Sequence, residues 1–542
     1  MSERLYNGIR LTASWPPKDI SQQCDEPMRV PYLENPPEII PIDVGRQLFI
    51  DNFLVEETSL ERIFHKPARY KHNPVLRPET PDELRFPSIG FQQGGVFYNP
   101  AKGVFEMFYH SNEQASRCRH IAISADMLNW TRIDTGLGAG NMFREPGPAF
   151  QGLDLRDGGH VFAVWLDLDA VHPVERYKLL SLAKYAHAKP PPGGMSHSLH
   201  TSPDGIHWSA AVPAGKADDA QSFFYNPFRH VWVYSIKRSL KRNGKNLRAR
   251  WYAESRDFLK GGNWDNAVYW TCADRLDIPE PHNGYPAYPV QGDVCQLYTL
   301  HGVAYESIML GMHEIHRGPH NSTCEQGRFP KLTDLEMGFS RDGFHWHRPD
   351  RSGFIRAARK PGHWDRGYLH STTSICVIHE DRLFFPYAGF SGADPDGANP
   401  GMYRGGAIGV AMLRRDGFAS LRAGSAEQTL TTRPVTFTGE YLFVNVDNPR
   451  GALAVEVLDD QGGRLPGFTR TDCLSVSADD TKSRVLWKDG ASLKRFADRP
   501  VRFRFHLTQG DLYAFWVSRS LKGESGGYVA GGGPSFSGLR DV

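Results

Sequence analysis

A short turn returns five times along this 542-residue chain, four times as Ser-x-Asp and once as Arg-x-Asp, and constrains its fold more than any other feature. Three copies place a tryptophan four residues after the aspartate, at Ser124–Trp130, Ser202–Trp208 and Ser340–Trp346, and partial copies begin at Ser255 and Arg414. In such a turn the aspartate accepts hydrogen bonds from its own backbone, glycine supplies a positive φ, and tryptophan packs beneath the strands. The recurrence predicts one β-sheet per copy, and five sheets predict a ring. We therefore interpret these aspartates as turn formers.

The composition favours a strand-rich protein with more than one domain. Aromatic residues make up 12% of the chain, and 54 Gly and 38 Pro are typical of many turns. A chain of this length usually exceeds a single core. The 63 basic and 61 acidic residues nearly cancel, which argues against a nucleic-acid partner. The densest basic run, Lys237–Arg250, is interpreted as a solvated hairpin tip between two strands.

Other functional classes are disfavoured by what the sequence lacks. No apolar run is long enough for a secretion signal or a membrane span, so a cytoplasmic protein without a membrane partner is expected. The seven cysteines lack paired spacing, which favours reduced thiols. His197/His200 and His313/His316 do not match zinc signatures, and residues three apart on a strand point to opposite faces. We expect no metal and no cofactor, and the oligomeric state stays open.

The pattern divides the chain into four segments. Residues 1–44 are Pro-rich and predicted to form an extended N-terminal arm, and residues 45–424 carry the repeated turns. Residues 425–520 alternate cleanly without the turn, which predicts a small antiparallel sandwich, and residues 521–542 form a Gly/Ser-rich flexible tail. The predicted fold is all-β, a five-bladed β-propeller followed by a C-terminal β-sandwich. A strand within Gln47–Glu56 is predicted to close the ring beside the last blade.

Several segments resemble bacterial proteins of the glycoside hydrolase family 32 type, within the five-bladed superfamily that includes families 43, 68 and 130. They are Phe223–Phe228, Val303–Ser307, Phe339–Trp346 and Leu413–Phe418. The resemblance covers residues 45 to 520 and implies a propeller that acts on carbohydrate. The invertase nucleophile motif is absent from the first blade, which reads Asp82–Gly90 instead. No catalytic residue is therefore transferred by motif.

Candidate catalytic residues are acids near the inner strands of the blades, because those strands converge on a central funnel. Glycoside hydrolysis needs a protonated and an ionised carboxylate there. Glu306 lies in an apolar stretch that would raise its pKa, so it is predicted to be the general acid. Asp219 and Asp365 are predicted to be the nucleophile or base and the substrate-orienting carboxylate. The alternatives are a turn for Asp219 and a buried salt bridge for Glu306.

Six further residues are predicted to bind the substrate: Glu145, Asp293, Trp364, Tyr368, His370 and Tyr305. Aromatic rings stack on the apolar face of a sugar, which motivates the aromatic members of this set. Asp82 and Glu83 are weaker candidates. The leading hypothesis is a glycoside hydrolase that cleaves a glycosidic bond, furanosidic bonds included, with carbohydrate as the partner. A non-catalytic sugar-binding propeller and a glycoside phosphorylase are the alternatives, and the phosphorylase requires Arg, Lys and His in the funnel.

Overall fold

The structure, a computed structural model, describes residues 3–112, 117–136, 140–141, 162–182, 195–280 and 294–542. Over these ranges the chain consists mainly of β-strands, which confirms the strand-rich prediction. The helices in the same ranges are all too short to cross a membrane.

The first part of the chain has little regular structure. Its elements are α1 (Pro31–Glu34), β1 (Ile40–Pro41), β2 (Gln47–Leu48), β3 (Val55–Thr58), β4 (Glu61–Phe64), β5 (Ala68–Arg69) and α2 (Pro81–Leu84). Leu5, Ile9 and Tyr32 are buried in one apolar cluster with side chains from the C-terminal third of the chain. The predicted N-terminal arm is thus attached to the molecule by buried apolar contacts.

An eight-stranded sheet follows, made of two antiparallel halves that are joined by a parallel pair, β6 and β10. Its strands are β6 (Ile89–Asn99), β7 (Val104–Asn112), β8 (Arg117–Ser124), β9 (Thr131–Arg132), β10 (Phe162–Leu166), β11 (Tyr177–Leu182), β12 (Met195–Ser202) and β13 (Val212–Ala217). We refer to the halves β6–β9 and β10–β13 as the first and second sheets. A 3₁₀ turn at Pro173–Glu175 precedes β11.

Three more antiparallel sheets complete this part of the chain, and we number them third to fifth. The third contains β14 (Ser222–Asn226), β15 (Val231–Arg242), β16 (Lys245–Ser255) and β17 (Val268–Cys272), with a 3₁₀ turn at Leu259–Gly262. The fourth contains β18 (Gln296–Glu306), β19 (Ile308–Gly318) and β20 (Leu332–Ser340), with α3 (Asn321–Gly327) between the last two. The fifth contains β21 (Gly367–His370), β22 (Val377–His379), β23 (Arg382–Phe390) and β24 (Gly406–Arg414), and β5 pairs with β24.

Neighbouring sheets contact one another in chain order. β10 contacts β14, β14 contacts β18, and β20 contacts β21. β23 and β24 of the fifth sheet then contact β6 of the first, so the series returns to its beginning. One large apolar cluster runs through these contacts.

The repeated turn has the predicted local chemistry. The Ser124 hydroxyl accepts from the backbone N–H of Asp126 and Met127, and the Asp126 carboxylate accepts from that of Leu128 and Asn129. Although burial raises the pKa of Asp126, these backbone donors lower it to about 2. The turns at Asp204 and Asp342 repeat the hydrogen bonds. The interpretation as turn formers is confirmed for these three aspartates, whereas the Asp416 carboxylate of the last copy accepts from Arg46, Tyr305 and Asn445.

Most strands of the C-terminal third lie in two six-stranded sheets, which also contain β1 to β4, and in a two-stranded one, whereas the last strand joins the fourth sheet. The elements are β25 (Ala419–Ala423), β26 (Gln428–Thr432), β27 (Val435–Thr436), β28 (Tyr441–Asp447), β29 (Ala452–Asp459), β30 (Cys473–Leu474), β31 (Asp479–Arg484), β32 (Leu486–Trp487), β33 (Val501–Thr508), β34 (Gly510–Ser518) and β35 (Tyr528–Val529). Two 3₁₀ turns, at Lys488–Gly490 and Leu493–Phe496, precede β33.

Segments near both ends of the chain pair with strands that are distant in sequence. β2 pairs with β34 and β3 with β26, so the prediction that the Gln47–Glu56 segment closes the ring is wrong. The physical reason is burial, since Phe49 and Val55 pack into the apolar cluster of the C-terminal sheets. The last 22 residues, predicted to be flexible, contain β35, which pairs with Tyr305 and Glu306 of β18.

Candidate functional site

Charged and aromatic side chains from the third, fourth and fifth sheets meet around Asp219. We call the set the Asp219 cluster: Asp219, Lys237, Arg248, Tyr298, Glu314, His316, Lys331, Tyr368 and His370. Three of the nine residues predicted as site residues, Asp219, Tyr368 and His370, belong to it.

Local backbone pairing positions Asp219 beside Lys237. β15 continues past the start of its partner β14, because Ser222 at that start pairs with Ser235. Lys237 therefore lies beyond the paired region, level with the segment that leads into β14. Gln221 ties the two together, since its amide donates to the Asp219 carbonyl (3.1 Å) and its side-chain oxygen accepts from the Lys237 backbone N–H (2.6 Å).

The Asp219 carboxylate is partly exposed and ion-paired. Lys237 Nζ donates to one carboxylate oxygen, and the Tyr298 hydroxyl lies 3.3 Å from the other. Burial acts to raise the pKa of Asp219, but Lys237, Arg248 and the Tyr298 hydroxyl together hold it well below its usual range. Asp219 is therefore ionised at neutral pH.

Two cations of the cluster have no ion-pair partner in the described part of the chain. Lys331 is 2% exposed, and its ammonium group donates to the side-chain oxygen of Asn321. Burial, with Arg248 and Lys237 nearby, lowers the pKa of Lys331 to about 7. Arg248 lines a pocket of about 450 Å³ together with Asp219 and Lys237. Burial of the Lys331 charge without an ion pair is costly, so this excess of positive charge beside the pocket suits an anionic ligand.

Aromatic rings lie beside these charges. The ring of His316 stacks on Tyr298 at 4.6 Å and on Tyr368 at 5.7 Å between centroids. Burial, followed by the nearby Lys331, holds the pKa of His316 well below its usual range, so the imidazole is neutral. Flat faces of this kind suit the apolar face of a sugar ring.

Glu314 and His370 form a buried pair next to the aromatic rings. The Glu314 carboxylate lies 3.0 Å from Nδ1 of His370 and accepts from the Ser371 backbone N–H at 2.7 Å. Burial acts to raise the pKa of Glu314, but His370 and His301 hold it well below its usual range. His313, three residues before His316 on β19, packs against Trp346 instead, which agrees with the prediction that the two rings face opposite sides.

Glu306 lies in a different part of the fourth sheet. We call its surroundings the Glu306 cluster: Arg46, Tyr305, Glu306, Arg415, Asp416 and Ser525. Arg415 lies 2.9 Å from the Glu306 carboxylate and Arg46 3.5 Å. Burial raises the pKa of Glu306 despite both arginines, as the sequence predicted. The salt bridge foreseen as the alternative is present.

The structure does not bring Glu306 and Asp219 together. Glu306 is eight residues along β18 from Tyr298, which contacts Asp219. At about 3.3 Å per residue this is a separation of roughly 26 Å, whereas glycosidase carboxylate pairs lie about 5–9.5 Å apart. Tyr305, a predicted substrate-binding residue, donates to Asp416 (2.6 Å) and stays with Glu306.

Asp365 and Trp364 lie against the outer part of the fifth sheet. Arg69, on the edge strand β5, approaches the Asp365 carboxylate at 2.9 Å, and the Tyr387 hydroxyl donates to it at 3.1 Å. Trp364 packs on Tyr387, with ring centroids 5.3 Å apart. Neither residue contacts the Asp219 cluster.

The remaining predicted residues divide in two. Glu145, Asp293 and the side chain of Asp82 lie outside what the structure describes. Glu83 forms a capping box with Thr80 at the start of α2 and also pairs with Arg132.

Sequence reasoning missed most of the basic and hydrogen-bonding members of the Asp219 cluster. Lys237 and Arg248 belong to the basic run interpreted as a solvated hairpin. The hairpin exists, as β15 and β16, but these two residues lie within its paired strands and not at the tip, and they line the pocket. The number of residues between each of them and the turn at Asn243 is the signal that could have distinguished these strand positions from the tip. The sequence around Tyr298, Glu314 and Lys331 contains no pattern that predicts a functional role.

Comparisons with known proteins place few constraints on this chain. No family model matches it, and no curated protein does. Solved structures with a resembling backbone include an N-acetylgalactosamine deacetylase from F. plautii (13% identity, 67% of this chain and 96% of that one, TM-score 0.41). A glycosyl hydrolase from Bacteroides ovatus (12%, 68% and 97%, 0.38) also matches. So does a structure from the GH130 family of mannoside phosphorylases, which also contains glycoside hydrolases (11%, 65% and 94%, 0.39). With scores this low, the interpretation depends on the residues of the site.

Proposed function

We propose that the protein is a carbohydrate-active enzyme whose site is the Asp219 cluster. The five sheets are its blades, in a five-bladed β-propeller, and the two six-stranded sheets are a β-sandwich. The contact order that returns from the fifth sheet to the first supports the propeller. The sequence resemblance to five-bladed glycoside hydrolases supports carbohydrate as the substrate class, and so do the stacked rings of Tyr298, His316 and Tyr368.

Phosphorolysis of a glycosidic bond is the reaction that this geometry supports best. The observation behind it is the pair of cations Arg248 and Lys331, which form no ion pair among the described residues and lie near the ionised Asp219. A phosphate anion held by these cations would attack the anomeric carbon, so no second carboxylate is required as nucleophile. Asp219 would accept hydrogen bonds from sugar hydroxyls. We assign Glu306 and Asp365 structural roles, because arginines neutralise both at a distance from this site.

The test is phosphate dependence. The purified full chain is incubated with a panel of oligosaccharides, with and without inorganic phosphate, and sugar phosphate is measured. We expect a sugar phosphate to form only with phosphate present, and Lys331→Met and Arg248→Met to reduce its formation at least about tenfold. Lys241→Met, at an exposed lysine of β15 in the same hairpin as Arg248, is the matched control. Equal rates in all three variants would rule out the assignment of the two cations.

Hydrolysis is the second candidate, and the partly exposed, ionised Asp219 favours it. A carboxylate of this kind can act as nucleophile or base toward water. Free sugar released at the same rate without phosphate, and lost in Asp219→Asn, would select hydrolysis. Sugar binding on a glycan array without turnover would select the non-catalytic alternative.

A further inference from the structure

The Glu314–His370 pair leaves one imidazole nitrogen without a partner. Nδ1 of His370 faces Glu314 at 3.0 Å, and Nε2 on the opposite side of the ring has no hydrogen-bond partner among the described residues. Both side chains are buried, His370 at 2% exposure and Glu314 at 1%. An unsatisfied buried polar atom costs about 1–3 kcal/mol. A ligand that contacts Nε2 removes this cost.

The carboxylates of the Asp219 cluster cannot supply a proton at neutral pH. Lys237 and Arg248 keep Asp219 ionised, and His370 and His301 keep Glu314 ionised. Cleavage of a glycosidic bond nevertheless requires a proton on the leaving oxygen. Among the described residues of the cluster, the donor must therefore be a side chain of another type.

We propose that His370, oriented by Glu314, is the group that donates this proton. The inference rests on the proposed function of the site. As the bond between the anomeric carbon and the glycosidic oxygen breaks, the Nε2 proton of the imidazolium passes to that oxygen. Hydrogen phosphate forms the new bond to the anomeric carbon. The sugar phosphate then releases its own proton, which restores the imidazolium, so protons and charge balance.

Among the described residues, the charged group that contacts His370 is the Glu314 carboxylate. Glu314 and His316 face it from β19, Tyr298 and His301 from β18, and Tyr368 lies on its own strand. Burial lowers the pKa of His301, with Glu314 opposing, and Arg250 acts on both His301 and Glu314 from β16. Glu314 is thus the carboxylate that contacts His370, and the contact at Nδ1 orients the ring.

His313 shows that an unpaired nitrogen is not sufficient for this role. It is as buried as His370, and its Nε2 also lacks a partner among the described residues. Its Nδ1, however, faces the carbonyl oxygen of Gly311 at 3.3 Å and no carboxylate. His313 is therefore the matched control.

The first experiment varies the leaving group. Dinitrophenyl glycosides need no proton on departure, whereas alkyl glycosides do. We expect His370→Gln to lower kcat on alkyl glycosides about 10²–10⁴-fold and to leave kcat on dinitrophenyl glycosides within a few-fold. Glu314→Gln, which keeps the shape of the site, should show the same split, and His313→Gln should not. Two results would overturn the assignment. One is an equal loss of kcat on both substrates in His370→Gln, and the other is a selective loss on alkyl glycosides in Lys331→Met and not in His370→Gln.

A second readout needs no substrate and separates the two proposals. NMR of the ¹⁵N-histidine-labelled full chain, with His370 assigned by its absence in His370→Gln, reports which nitrogen carries the proton. We expect Nδ1 to stay protonated and Nε2 to gain and lose its proton reversibly with pH. In Glu314→Gln that change should occur at lower pH, because the stabilising carboxylate is gone. A proton fixed on Nε2 at all pH values would refute the donor role, even if no glycoside were turned over. An Nε2 that gains and loses its proton, in a protein that turns over no glycoside, would refute only the proposed function.

Discussion

The Glu306 cluster and the Asp219 cluster are ionic groups that both include residues of strand β18, Glu306 in one and Tyr298 in the other, but their charges balance differently. Arg46 and Arg415 contact Glu306 and Asp416, and backbone and hydroxyl donors add further hydrogen bonds. Around Asp219, one cation is paired, and Arg248 and Lys331 are left without a carboxylate among the described residues. A network with its charges paired can hold parts of a chain together, whereas unpaired charge costs stability until a ligand arrives.

The two clusters also differ in which parts of the chain they join. The Glu306 cluster links segments that are far apart in sequence, from Arg46 to Ser525, and β35 covers it. The Asp219 cluster gathers residues of three consecutive sheets, and three of its members, Asp219, Lys237 and Arg248, line a pocket. Burial of a carboxylate alone, which singles out Glu306 in the sequence, therefore does not identify a site.

The largest expected effect is on stability at the Glu306 cluster. Arg46→Met leaves Glu306 and Asp416 short of a buried partner and removes a cation that lies 4.2 Å from the Trp516 ring. We expect a loss of about 3–5 kcal/mol in the free energy of unfolding, measured by urea denaturation of the full chain. Lys331→Met removes an unpaired buried charge and should cost nothing or stabilise. Arg450→Met, at an exposed arginine, is the control, and equal losses in Arg46→Met and Lys331→Met would abolish the distinction between the clusters.

An intermediate effect is expected from pH on anion binding at the Asp219 cluster. The lowered pKa of Lys331, about 7, means that its ammonium charge is present below this pH and lost above it. Sulfate keeps its charge over this range, so its affinity should fall as pH rises through about 7, by up to about tenfold per unit for one proton. Calorimetric titration with sulfate at constant ionic strength measures this. Lys331→Arg, which stays charged, should flatten the dependence, and an unchanged slope in that variant would exclude Lys331 as its source.

The smallest effects come from a matched pair of tyrosine hydroxyls. Tyr305 donates to Asp416 at 2.6 Å in the Glu306 cluster, and Tyr298 donates to the partly exposed Asp219 at 3.3 Å. We expect Tyr305→Phe to cost about 1.5–3 kcal/mol and Tyr298→Phe about 1 kcal/mol or less, by urea unfolding. A larger loss for Tyr298→Phe would show that the Asp219 carboxylate depends on this bond more than on Lys237.

The local features of the fold could be predicted and the meeting of distant parts could not. The Asp126, Asp204 and Asp342 turns are set by hydrogen bonds within a few residues, so the motif alone identifies them. Gln47–Leu48 also reads correctly as a strand, but its partner lies more than 450 residues later, in β34. Several sheet edges compete for any such strand, and the choice depends on which apolar face it helps to bury.

The candidate site shows the same division. Asp219, Tyr368 and His370 could be found because each lies near the start of a strand in a recognisable pattern. Glu306, in an apolar stretch, and Asp365, beside two aromatic residues, were equally plausible candidates, and what separates them from Asp219 is that an arginine from elsewhere, Arg415 or Arg69, reaches the carboxylate. Lys331 has an unremarkable sequence context, and only its burial beside Arg248 gives it a pKa near neutrality.

The sequence by itself determined the strand-rich character, the repeated turns and the residue types available for chemistry, because these depend on short-range hydrogen bonding and on side-chain identity. Which carboxylates are neutralised and which cations stay without a partner was decided by the tertiary structure alone. Charge interactions depend on distance in space and on burial, and neither can be read from positions along the chain.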